Sequence, residues 1–250
     1  MKLRSAMITS LTNQKVKEWK KLQKRKYRER EGLFLVEGNH LVEEAIKSHW
    51  TVEEVILREG ITFYQSEEVP VTYVNEKVFN EIAETQTPQG TAAVVKINPH
   101  KYEPVSYSLL IDAVQDPGNL GTLIRTADAA GYEQVIVGKG SVDVFNEKVI
   151  RATQGSIFHL PVIQDNLEHV IPSLRVDGVS VYAATLEDSI SYKQLDPSSN
   201  IALMVGNEGN GIQSSLLEEV DQNINIPIYG RAESLNVAIA AAVLMYHFKV

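Results

Sequence analysis

Short apolar runs punctuate the second half of this chain at residues 108–112, 134–137, 179–184 and 201–205, each followed by a polar loop. They are continuous rather than alternating, so such strands must be covered on both faces of a sheet. That constraint reads as a parallel sheet flanked by helices, an α/β architecture. Further strands are expected near 161–163 and 223–226, and helices from the loop at 115–119 to about Ala130 and over 146–153. The stretch 235–248 holds no Asp, Glu, Lys or Arg. A helix that apolar is expected to be buried along most of its circumference. It is also too short to span a bilayer, which takes roughly 20 residues.

The first half alternates differently. Residues 12–30 read as one basic helix with Val16, Trp19 and Leu22 as its apolar side. Strands at 33–36, 52–57, 71–74 and 91–97 alternate with helices at 40–48 and 76–83, which suggests a small α/β domain. Two prolines and no periodicity mark a linker at 99–105. The expected organisation is therefore a domain over 1–98 and a second over 106–250.

Charge is distributed unevenly. Residues 1–30 carry eleven Lys or Arg against two Glu, a balance of +9, while the other 220 residues carry 13 basic and 30 acidic groups, or −17. This asymmetry points to a polyanion at the N-terminal end. Lys20, Lys21, Lys24, Arg25, Lys26 and Arg28 are the candidate contacts, and Tyr27 among them offers a ring for stacking on a base. The chain has no cysteine, which excludes disulfides and thiolate chemistry. No apolar leader opens it, and the six histidines lack metal-ligand spacing, so neither export nor a metal is expected.

Three polar loops each follow a strand: 116–125, 206–212 and 226–236. Ligands of parallel α/β sheets bind beyond the carboxyl ends of the strands, so the three are expected to converge. Gly206, Gly209 and Gly211 permit close backbone approach, but their spacing is not that of a phosphate loop.

In this order the loops resemble the motifs of the SpoU (TrmH-type) family of RNA ribose 2'-O-methyltransferases. The first reads Asn119-x-Gly121-x-x-x-Arg125, and the second Gly206-Asn207-Glu208-Gly209-x-Gly211. The third reads Ile226-Pro227-Ile228-x-Gly230-x-x-x-Ser234-Leu235-Asn236-Val237. Ile228 and Ala238 stand where the family often has Met and Ser. The resemblance extends to Phe34-Leu35-Val36-Glu37-Gly38 and Pro88-Gln89-Gly90, which look like the family's small substrate-binding domain.

The resemblance implies a trefoil-knotted methyltransferase domain with a parallel sheet, preceded by a small α/β RNA-binding domain akin to RNA-binding ribosomal proteins. It implies a cytoplasmic homodimer, joined through the methyltransferase domain, that moves a methyl group from S-adenosylmethionine to a ribose 2'-hydroxyl of structured RNA. The basic extension favours ribosomal over transfer RNA. Gly206, Asn207, Gly211, Ile226, Ile228 and Leu235 are the implied cofactor contacts. Arg125, Asn119, Glu208, Ser234 and Asn236 are the implied catalytic set, with Glu208 expected to hold the Arg125 guanidinium. A non-catalytic RNA-binding or assembly factor of the same fold is the alternative, and the intact catalytic set argues against it.

Overall fold

The structure is a computed structural model that describes residues 7–63, 69–196 and 200–249. Residues 1–6 of the basic stretch lie outside the described residues. The chain forms two compact units, one of residues 1–98 with 143–158 and one of 99–142 with 159–250.

The first unit is built on a four-stranded sheet of β1 (Leu33–Glu37), β2 (Val52–Arg58), β3 (Val71–Val74) and β4 (Thr91–Lys96), in the order β1-β4-β2-β3. β4 runs antiparallel to both neighbours, and β2 pairs with β3 in parallel. The basic segment is two helices rather than one, α1 (Gln14–Lys21) and α2 (Arg25–Glu31). The break lies at Lys24, whose backbone is extended. Arg28 stabilises it by donating from Nη1 to the Leu22 carbonyl at 2.7 Å, one of the carbonyls left over at the end of α1. Val16, Trp19 and Leu22 are buried as expected, against Ile56, Val94 and the Val78, Phe79 and Ile82 face of α4 (Glu76–Ile82).

Along β1, Leu33 and Leu35 join that cluster while Phe34 points to the opposite face, as strand alternation requires. There Phe34 meets Trp50, Phe145 and Phe158, with ring centroids 4.8 Å from Phe145 and 5.9 Å from Trp50. Two of those rings come from the stretch 143–158, which contains α6 (Glu147–Thr153). The sequence reading kept 106–250 together, whereas these aromatics return 143–158 to the first unit. Helix α3 (Asn39–Lys47) completes this unit.

The second unit carries a seven-stranded sheet whose pairings are all parallel. Its strands are β5 (Tyr107–Ile111), β6 (Gln134–Val137), β7 (Val162–Gln164), β8 (Ser180–Ala184), β9 (Ile190–Ser191), β10 (Ile201–Val205) and β11 (Gln222–Asn225). The order is β7-β6-β5-β10-β8-β11-β9. β5, β6 and β10 are buried at every residue, which is why their sequences are uninterrupted. Helices α7 (Leu167–Val176) and α8 (Ser214–Leu217) pack against Leu110, Ile136, Ala202 and Met204. The remaining helices are α5 (Pro117–Ala129) and α9 (Val237–Phe248), which pack on one another.

β5 and β10 are paired from Tyr107↔Ile201 to Ile111↔Val205, so they end level with each other. β6 lies on the other side of β5, so the strand order turns about this pair. Such a switch point leaves a crevice at the carboxyl ends of the strands, where ligands bind.

Candidate active site

The loop after β5 opens α5. Asp116 is the N-cap: its Oδ1 accepts from the Asn119 backbone N–H at 2.8 Å, and Pro117 takes the first helical position. Because Asp116 caps the helix, the Asn119 carboxamide is free for long-range bonds. Asn119 Nδ2 donates to Glu208 Oε1 at 3.0 Å, and Asn119 Oδ1 accepts from Asn236 Nδ2 at 2.9 Å. One side chain thus joins all three loops.

The direction of this chain is fixed by its ends. An ionised carboxylate only accepts, so Asn119 must turn Nδ2 toward Glu208 and Oδ1 toward Asn236. Asn236 then presents its own Oδ1 to the Ala238 and Ile239 N–H groups at 3.0 and 3.3 Å, capping α9. Each amide has one satisfying orientation, and the network orders the three loops together.

Glu208 reaches further. Its Oε1 also accepts from the Asp116 N–H at 3.1 Å and its Oε2 from the Gln115 N–H at 3.2 Å. A carboxylate at the amino end of α5 is favoured by the helix dipole. Burial pushes the Glu208 carboxyl up, but the hydrogen bonds from Asn119 and from the Gln115 and Asp116 backbone outweigh it. The net effect holds it below the ordinary glutamate range.

The second loop is closed on itself. Asn207 and Gly211 exchange two backbone hydrogen bonds of 2.9 and 3.0 Å. Asn207 Oδ1 accepts from the Gly209 and Asn210 N–H groups, and its Nδ2 donates to the Ala113 carbonyl at 2.8 Å. Ala113 sits at φ 52°, a conformation unfavourable for a residue with a Cβ. Gly206 is required sterically, since a Cβ there would collide with the backbone of Gly211 and Ile212. The third loop is open instead. Ile226, Pro227 and Ile228 are half-buried, residues 229–236 are exposed, and the backbone of 226–235 forms no hydrogen bond among the described residues.

A profile of the SpoU rRNA Methylase family matches residues 106–246, which contain all three loops. The chain belongs to that family. A second profile, the MRM3-like substrate binding domain, matches residues 13–93. Among characterised relatives, the chain is 47% identical to the 23S rRNA (guanosine(2553)-2'-O)-methyltransferase RlmP of Bacillus subtilis (strain 168), over 97% of this chain and 98% of that one. Among solved structures, it superimposes on an AdoMet-bound rRNA methyltransferase from Sinorhizobium meliloti with a TM-score of 0.87 and 33% identity, covering 97% of this chain and 96% of that one.

As a SpoU methylase the chain is an RNA ribose 2'-O-methyltransferase that uses S-adenosylmethionine. The third loop fits that methyl donor. Apolar side chains at 226–228, beside backbone donors and acceptors that no other described residue uses, suit a ligand with a flat base and polar edges.

Of the expected catalytic set, Asn119, Glu208 and Asn236 are bonded together. Ser234 is exposed and makes no hydrogen bond among the described residues. Arg125 lies on α5, exposed and without an ion pair among the described residues. The expectation that Glu208 holds its guanidinium is corrected, because the carboxylate is engaged by Asn119 and two backbone N–H groups. Asp116 and Ala113 were not anticipated as contributors. The Asp-Pro pair at a helix start was the available signal for Asp116.

In the first unit the basic residues separate. Lys21, Lys24 and Lys26 are exposed and form no ion pair among the described residues. Lys20 pairs with Glu81, and Arg25 with Glu29 at 2.7 Å. Arg28 does not belong with the candidate RNA contacts, for it is buried and paired with Asp143. Its role is to join α2 to the start of the 143–158 stretch. The Tyr27 ring also differs from expectation, since the Arg30 guanidinium lies 4.9 Å from its centroid.

Proposed function

We propose that this enzyme methylates the ribose 2'-hydroxyl of a guanosine in large-subunit ribosomal RNA. The name of the 47%-identical relative, aligned over almost the whole of both chains, carries the choice of RNA and of base. S-adenosylmethionine supplies a methyl group already activated on a sulfonium, so what remains is to place the ribose oxygen in line and to let its proton leave.

Gly206, Asn207 and Gly211 shape one wall of the methyl-donor site, and the backbone at Ile226, Ile228 and Leu235 the other. Asn119, Glu208 and Asn236 hold those walls in register. Arg125 is the residue left free to act. A guanidinium keeps its proton throughout the physiological range, so it does not serve as a resting base. It grips the RNA phosphate next to the target ribose and stabilises negative charge growing on the 2'-oxygen. Ser234 orients the ribose. Lys21, Lys24 and Lys26 supply sequence-independent attraction for RNA.

The enzyme works as a cytoplasmic homodimer through the second unit, whose chain carries the trefoil knot of the family. An apolar stripe supports the dimer: Leu235, Ile239, Val243 and Tyr246 recur at helical spacing in and just before α9, with Ile239 55% and Tyr246 60% exposed. Mapping 2'-O-methylation across ribosomal and transfer RNA in cells with and without the gene tests the substrate. Loss of one guanosine methylation in large-subunit RNA is expected, and loss confined to transfer RNA would refute it.

A further inference from the structure

A cleft of about 590 Å³ in the first unit is lined by Gly38, His40, Glu84, Gln89, Lys148 and Arg151 among others. That volume is ample for one nucleotide, within the range of small-ligand pockets of about 300–1,000 Å³. The wall is built rather than incidental. Gln89 Oε1 accepts from the Asn39 N–H at 3.0 Å, which turns its Nε2 outward as a donor. Gly38 holds φ 100°, and a Cβ there would press on the Gln89 carboxamide at 3.3 Å. His40 Nε2 meets the Gln154 carbonyl at 3.0 Å, tying α3 to the end of α6.

Glu84 is the exceptional group. Its carboxylate has no hydrogen bond or ion pair among the described residues, while its neighbour Glu37 is engaged by Thr85 and Glu147 by Arg151. Its side chain is exposed at the cleft, and partial desolvation with Glu147 and Glu37 nearby raises its carboxyl above the ordinary range against the pull of Arg28 and Arg151. Exposed and without a partner among the described residues, its two oxygens are open to the N–H donors of a ligand.

We infer that this cleft binds an unstacked guanine nucleotide of the RNA, other than the methylated one. Glu84 accepts from guanine N1–H and N2–H, Gln89 Nε2 donates to O6 or N7, and Lys148 and Arg151 face the phosphate. Guanine alone offers two adjacent N–H donors on its Watson–Crick edge, whereas adenine and cytosine give a carboxylate a single amino group. Extruded single-stranded bases read on this edge are the usual basis of sequence-specific RNA recognition. The inference rests on RNA being the substrate, and it adds a second reading point on the small unit.

The test uses the full-length enzyme and four single-stranded RNA heptamers that differ only in the central nucleotide, with affinity read by fluorescence anisotropy. The guanine heptamer is expected to bind about tenfold more tightly than the others. That preference should vanish in Glu84→Gln and in Gln89→Glu, which keeps the acceptor for Asn39 but removes the donor, and it should survive Arg125→Ala. A preference that persists in both cleft variants, or that disappears with Arg125→Ala, overturns the assignment. Equal affinity for all four heptamers while ribosomal RNA is still methylated overturns the cleft and leaves the proposed function standing.

Discussion

Glu208 accepts a hydrogen bond from Asn119 at 3.0 Å, across 89 positions of sequence, and with the same oxygen it takes the Asp116 N–H at 3.1 Å. A glutamate from the loop after β10 thereby completes the cap of α5, the task a residue inside the helix would ordinarily perform. The same asparagine passes the constraint on to Asn236 and the start of α9. The three loops are thus held by one polar chain, in which no member can reorient alone.

Asn119→Ala removes both bonds at once. It is expected to lower kcat/KM by about 10- to 100-fold, equivalent to about 1–3 kcal/mol, with weaker S-adenosylmethionine binding. The junction should also depend on pH in a defined direction. Glu208 has a lowered folded pKa, so its contribution is fully present above the unfolded value and lost as pH falls through the folded one. Thermal melts of wild type and Glu208→Gln should differ most at neutral pH and converge in acid; a difference that grows on acidification contradicts this account.

Gly206→Ala inserts a methyl group into the backbone of Gly211 and Ile212. The loop must open to admit it, breaking the Asn207–Gly211 pair. Calorimetry should show S-adenosylmethionine affinity falling at least about tenfold, with overpacking strain of about 1–3 kcal/mol visible in the melting temperature. Donor affinity equal to wild type would separate this loop from the donor site.

The basic helices should divide into two classes. Reversing Lys21, Lys24 and Lys26 to Glu is expected to weaken RNA binding and flatten its salt dependence without altering stability. Arg28→Ala strands the partly buried Asp143 carboxylate and should cost up to about 3–5 kcal/mol of stability. A stable Arg28→Ala protein with weakened RNA binding would return Arg28 to the RNA contacts.

The proposed dimer would cover the exposed apolar side chains of α9. Ile239→Lys is expected to turn a dimer into a monomer in sedimentation velocity, whereas Val176→Lys, at a more exposed apolar site outside this stripe, should leave the assembly unchanged. A wild-type enzyme that sediments as a monomer rules out this interface.

The sequence made the strands legible because full burial leaves no alternation to misread, as in β5, β6 and β10. It also presented Asn119, Glu208 and Asn236, but not that they touch, since their bonds span up to 117 positions. Helix α7 was hidden by Pro172, which removes an N–H from the helix interior. The helix holds because Leu167, Val170, Ile171 and Leu174 are buried on one side. Charge density concealed the fate of Arg28, whose neighbours are solvated while it pairs with Asp143, 115 residues away. The return of 143–158 to the first unit depends on Phe145 and Phe158 meeting Phe34, a tertiary match that no local pattern encodes.

The central claim is that the three-loop junction holds the methyl donor and leaves Arg125 free to act on the RNA. Single-turnover methylation by Arg125→Ala, with S-adenosylmethionine affinity measured separately by calorimetry, tests it most directly. The account predicts donor affinity within about twofold of wild type and methyl transfer slowed by at least about 100-fold, the loss typical of removing one charge-stabilising donor. Near-normal methyl transfer in that variant, with the donor bound as in wild type, would contradict it.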